Sequence, residues 1–168
     1  MTAFLLSVHV LAAIVAIGPV TVAASMFPPA ARRALAAPDD PRAVETVRLL
    51  LRICRVYAVV GVVVPVFGMA TAKNMGVLGD TWLIVSMVLT ALAALLLVAF
   101  VLPRQTAIAE SLERRPAEGD GGDVAVATAP AVTREATVRL AMLTGAFNLL
   151  WAAVTVLMIV RPGSTTGV

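Results

Sequence analysis

Four long apolar runs separated by shorter polar stretches dominate the chain. The first covers residues 4–27 without a charged residue. At about 1.5 Å per helical residue it is long enough to cross a hydrocarbon core of about 30 Å. Pro28-Pro29 is expected to end it, and Arg32-Arg33 followed by Pro38-Asp39-Asp40-Pro41 to stop one helix and cap the next. The second helix is expected from near Arg42 to beyond Ala72, with membrane core only over about 53–72. Its first third carries Arg48, Arg52 and Arg55, spaced four and three apart. They share one helix face and can reach anionic headgroups or a cytoplasmic partner while the backbone continues inward. Pro65, inside this span, predicts a kink.

Gly76 and Gly79 mark residues 73–80 as a tight turn. Trp82 then opens a third span, 82–102, placed where an amphipathic ring prefers the membrane interface. Pro103-Arg104 is expected to close that span. Residues 105–115 are helical in pattern but polar, and 116–133, rich in Ala, Gly, Asp and Pro, read as a flexible loop. The fourth span covers about 140–160 and closes at Arg161-Pro162-Gly163.

The expected fold is therefore all-α: a four-helix transmembrane bundle of two antiparallel hairpins, forming one membrane domain over residues 1–168. Composition agrees, since 60% of the residues are hydrophobic and 14% charged, against about 45–50% and about 25% in soluble domains. The pI near 10.0 does not point to nucleic acid, because the arginines flank apolar runs instead of forming a solvated basic patch. Of the 13 Lys and Arg residues, eleven fall in 28–52 and 103–139 or the adjoining helix ends, and only Lys73 and Arg161 lie on the other side. By the positive-inside rule those two loops are cytoplasmic, and both termini face away from the cytoplasm, in an inner or plasma membrane. No Lys or Arg precedes the first run, so it is expected to be a retained span and not a signal peptide.

The hairpins resemble each other: Thr46-Val47-Arg48-Leu49 recurs as Thr137-Val138-Arg139-Leu140, and Phe27-Pro28-Pro29 matches Val101-Leu102-Pro103 in place. A duplication would make this a parallel repeat about an axis along the membrane normal. Apolar helices with basic flanks would produce a similar likeness by composition alone.

Lipid supplies no hydrophobic drive between helices, so small residues and modest polar contacts are expected to mark the packed faces. The corresponding stripes are His9, Ala12, Ala16 and Ala23; Ala58, Gly61, Pro65, Gly68 and Ala72; Ser86, Thr90 and Ala93; and Ala141, Gly145, Asn148, Ala152 and Thr155. Ser86, Thr90 and Asn148 are the candidate interhelical polar contacts, with Thr90 the expected partner of Asn148. His9, the only histidine, is the candidate cofactor or metal ligand, since an ionisable side chain in a span is costly unless used. Haem or copper bound there would need a second ligand such as Met69, Met87 or Met158. The single cysteine, Cys54, reads as a small buried apolar residue. No Asp or Glu falls within a membrane core, and phosphate-loop, zinc-protease and serine-elbow motifs are not found.

Several of these features together carry a resemblance. They are His9-Val10-Leu11-Ala12-Ala13 with Gly18, the Arg-led second span, Gly79-Asp80-Thr81-Trp82-Leu83, Leu102-Pro103-Arg104-Gln105 and Leu157-Met158-Ile159-Val160-Arg161-Pro162-Gly163. Over nearly the whole chain they resemble the integral membrane family called domain of unknown function 2269. That resemblance implies a topology and no reaction. More distantly, the histidine and following glycine of the first span are similar to copper-resistance and protoporphyrinogen-oxidase-type small membrane bundles. Those proteins use further polar or histidine residues in other spans, so any shared chemistry here rests on His9.

The expected function is a structural or accessory membrane component, acting in the lipid bilayer as a homo-oligomer or within a larger complex. A haem- or copper-handling oxidoreductase using His9 is the alternative, and a small transporter or channel the second.

Overall fold

The apolar runs form helices that mostly outlast the bilayer. The structure, a computed structural model, describes residues 2–37, 40–114 and 134–163. It contains α1 (Thr2–Ala36), α2 (Pro41–Val60), α3 (Val63–Met75), α4 (Thr81–Leu95), a π-helical turn (Leu96–Val101), α5 (Leu102–Arg114) and α6 (Arg134–Val160). Four stretches among the described residues, Ala3–Ala36, Pro41–Met75, Thr81–Glu113 and Glu135–Val160, are long and apolar enough to cross a membrane. The all-α four-helix bundle is thus observed, and it fits a multipass membrane protein. The first three stretches have 34, 35 and 33 residues, roughly 50 Å each and well beyond a core of about 30 Å. The expected loop at 116–133 and the tail after Gly163 lie outside the described residues.

Two helix ends differ from expectation. Pro28-Pro29 does not stop α1, which runs on to Ala36. Each interior proline forfeits a backbone bond, about 3 kcal/mol in an isolated helix. Beyond the prolines, however, Ala31 and Ala34 are fully buried and pack in the same cluster as Val47, Leu50, Leu51 and Cys54 of α2. That packing, which continues across α2, favours extending the helix past the prolines. Nor does Pro103 end the third span. In the π-helical turn the Leu102 N–H donates to Leu97 O, a widened step. This places Pro103 in the first turn of α5, where a missing N–H costs least. The face formed by Gln105, Ile108, Ala109 and Leu112 then turns into the core.

The kink predicted at Pro65 is a break between α2 and α3 at Gly61-Val62. Pro65 cannot donate to Gly61 O, which instead accepts from the Val64 N–H at 3.2 Å. The tight turn at 73–80 also forms. Gly76 closes α3 at φ 73°, a left-handed conformation that favours glycine. Trp82 stands at the start of α4 as expected, and its ring is packed into the bundle. It is buried against Ala72, Leu83 and Met158, its Nε1 donates to Asp80 Oδ2 at 3.0 Å, and the Arg161 guanidinium lies 5.6 Å from the ring centroid. The indole thus has its N–H satisfied at one edge and a cation over its face, while the rest of the ring is buried.

Within the bundle α1 packs on α2, α3 and α6, α4 packs on α6, and α2 packs on α5. The small-residue stripe of α1 points inward as expected, with Ala16 and Ala23 buried, and so does that of α4, with Ser86 and Ala93 buried. In the second helix Ala72 is buried but Pro65 is exposed. Of the α6 stripe only Asn148 is half-buried, bonded to α1; Ala141, Gly145, Ala152 and Thr155 are exposed, whereas Leu140, Thr144, Phe147 and Val154 are buried. Phe147 and Trp151, one turn apart on this helix, meet edge to face at 6.3 Å. The two Thr-Val-Arg-Leu segments likewise present different faces, since Leu49 is exposed and Leu140 fully buried.

At the basic end, Arg48 Nε donates to Glu113 Oε1 at 2.7 Å and Arg55 donates to Thr106 Oγ1 at 2.8 Å, joining α2 to α5. Both members of the Arg48–Glu113 pair are about half exposed, so Arg48→Ala is expected to cost less than about 1 kcal/mol in denaturant unfolding. A much larger loss would show that the pair holds α5 in place.

Candidate functional site

Two polar settings lie within the spans. The first centres on His9, which α1 carries one face away from lipid and against α3. Its Nδ1 is 3.0 Å from Val64 O. A carbonyl only accepts, so Nδ1 is the donor in this contact and Nε2 takes no part in it. Gly68 makes this approach possible. A Cβ there would stand 2.8 Å from His9 Cε1 and 3.2 Å from Nδ1, so the ring occupies the space a side chain would take. The break that Pro65 imposes and the missing side chain at Gly68 together form the seat for the imidazole. Both residues belong to the expected stripe of this span. The part that the sequence did not signal is the acceptor, a backbone carbonyl.

The methionines proposed with His9 sit in separate settings. Met69 and Met87 are 44% and 42% exposed, and Met158 packs beside Trp82 and Leu83. Among the described residues no three His, Cys, Asp or Glu side chains gather as a metal-ligand group.

The second setting joins α1 to α6. Asn148 Nδ2 donates to Ser25 Oγ at 3.0 Å, and Ser25 Oγ donates in turn to Thr21 O at 2.7 Å. The expected partner of Asn148, Thr90, instead donates to Ser86 O, and Ser86 to Trp82 O, both at 2.8 Å. Those hydroxyls are thus satisfied within their own helix, the usual fate of Ser and Thr one turn from a carbonyl. Asn148 Oδ1 is enclosed without a partner. Beside this clasp lies a cavity of about 300 Å³ lined by Ser25, Pro28, Pro29, Arg32, Ala141, Thr144, Gly145 and Asn148. Arg32, counted in the sequence only as a topology signal, is its charged member.

Of the arginine row, Arg48 and Arg55 are engaged with α5, while Arg52 is exposed. Gln105, unremarked in the sequence, is fully buried, and neither Nε2 nor Oε1 has a hydrogen-bond partner. The Cys54 thiol lies beside it, but a thiol is a weak donor and acceptor. Comparison with known protein families, curated proteins and solved structures finds no match to this chain.

Proposed function

We propose that this chain is a structural or accessory component of an inner or plasma membrane, with both termini on the non-cytoplasmic side, akin to the membrane family it resembles. The observation that supports this most is how the spans use their polar groups. His9, Thr71, Ser86, Thr90 and Thr144 each pair with a helix carbonyl, and Asn148 pairs with Ser25. These bonds hold helices to themselves and to one another. The most apolar stretch of each span is only 11–22% buried within the chain, leaving wide surfaces for lipid and for the helices of a larger assembly.

The orientation is tested by thiol labelling in a Cys54→Ala background. In right-side-out vesicles an impermeant maleimide is expected to label Lys73→Cys at once, and Arg33→Cys only after permeabilisation. The opposite pattern overturns the orientation. The accessory role is tested by an optical spectrum and metal analysis of protein purified in mild detergent. A Soret band or stoichiometric copper that disappears in His9→Ala would replace this reading with the oxidoreductase one.

A further inference from the structure

We propose that the groove between α1 and α6 is a binding site for an anionic phospholipid, with the lipid phosphate held by Arg32. The cavity measures about 300 Å³ and lies between two spans, with Arg32 among its walls. The Arg32 side chain is exposed and makes no ion pair among the described residues. It therefore offers an unneutralised guanidinium, whose fork of N–H donors matches phosphate oxygens. Ser25 lies seven residues earlier on the same face of α1, two turns further into the membrane. Side chains on a helix lean toward its N-terminus, so a long arginine at position 32 leans along the groove toward Ser25.

The deeper part of the groove suits the ester level of a lipid. Asn148 spends one N–H on Ser25 Oγ, and its amide nitrogen carries a second, which an ester carbonyl can accept. Around it the lining is Pro28, Pro29, Ala141 and Gly145, walls that suit glycerol and the start of acyl chains better than a hydrated ion. Gly145 leaves the floor open: a Cβ there would meet nothing within 4 Å.

Charge complementarity selects the occupant. Arg32 is the one charged side chain among the groove's lining residues, and no carboxylate lies beside it in that lining. A second copy docking through this same groove would set its own Arg32 against this one, whereas an anionic headgroup is attracted, as in basic pockets between spans that face the cytoplasmic leaflet. The inference rests on the proposed orientation only for the choice of leaflet, and the test below reads the groove whichever way the chain sits.

The test uses the full chain, delipidated in mild detergent, with phosphatidylglycerol, phosphatidylcholine and inorganic phosphate as probes in native mass spectrometry and thermal unfolding. Phosphatidylglycerol is expected to bind and stabilise, phosphatidylcholine to do so weakly, and inorganic phosphate not to compete. Arg32→Gln is expected to weaken phosphatidylglycerol binding about tenfold or more, while Arg33→Gln, one residue along and outside the groove, changes it less than about twofold. Gly145→Leu, which fills the floor without altering charge, is expected to abolish binding. Equal losses in Arg32→Gln and Arg33→Gln would overturn the site in favour of diffuse surface attraction. Competition by inorganic phosphate would overturn the lipid as occupant, and a Gly145→Leu protein that binds lipid normally, or that loses a dimer, would overturn the groove. If Gly145→Leu does not fold, the two arginine variants decide.

Discussion

Replacing Gly68 by leucine is expected to destabilise the protein by about 2 kcal/mol in denaturant titration. The imidazole of His9 already fills the space beside Gly68, where even a Cβ would stand 2.8 Å from Cε1. A leucine must push the ring away, and the ring then loses its 3.0 Å bond to Val64 O. Overpacking costs about 1–3 kcal/mol and the lost hydrogen bond about 0.5–1.5 kcal/mol. The better helix propensity of leucine returns less than about 1 kcal/mol. The diagnostic result lies in the double variant. In a His9→Ala background the same leucine meets vacated space, so its added cost should fall close to zero, giving a coupling of about 1–2 kcal/mol, typical of side chains in contact. Additive losses would mean that His9 and Gly68 do not share this space.

Replacing Gln105 by methionine should do the reverse and raise stability by about 1–2 kcal/mol. Gln105 is fully buried beside Cys54 of α2, with both amide atoms unpartnered. An enclosed amide without hydrogen bonds carries a penalty of about 1–3 kcal/mol in protein mutational data. Methionine keeps the length and flexibility of the side chain while removing both polar atoms. In the unfolded chain this position, next to Arg104 and Thr106 at the end of a span, regains polar partners, so the penalty belongs to the folded state. A loss of stability in Gln105→Met would show that the amide is satisfied in the folded protein, for which an internal water is the simplest agent.

Much of the architecture was legible because the bilayer demands it. Residues 4–27 and 82–102 had to be helices, as only internal hydrogen bonding satisfies a backbone in hydrocarbon. Pro65 and Gly76 marked a break and a helix end through their own backbone chemistry, and both appear where they were read. Pro28-Pro29 and Pro103 were misread for a related reason. A proline's local cost is visible in sequence, but the burial of Ala31 and Ala34 that favours the longer helix is not. A π-helical turn ahead of Pro103 leaves no compositional trace either.

The candidate site shows the same division at finer scale. His9 stood out as an ionisable residue in a span, and its stripe faces inward. Its acceptor, Val64 O, is a backbone atom that no residue letter could announce. In α6 the choice of Gly145 and Ala141 over Phe147 and Leu140 as the packed face was wrong, because inside a membrane hydrophobicity does not tell a lipid-facing surface from a protein-facing one. The sequence by itself determined four helices long and apolar enough to cross a membrane and the basic asymmetry of the segments between them, since each is written in runs of apolar and basic residues. Only the tertiary structure decided which faces meet, that Asn148 reaches Ser25, and that Arg32 borders a groove, because those depend on shape complementarity between helices distant in the chain.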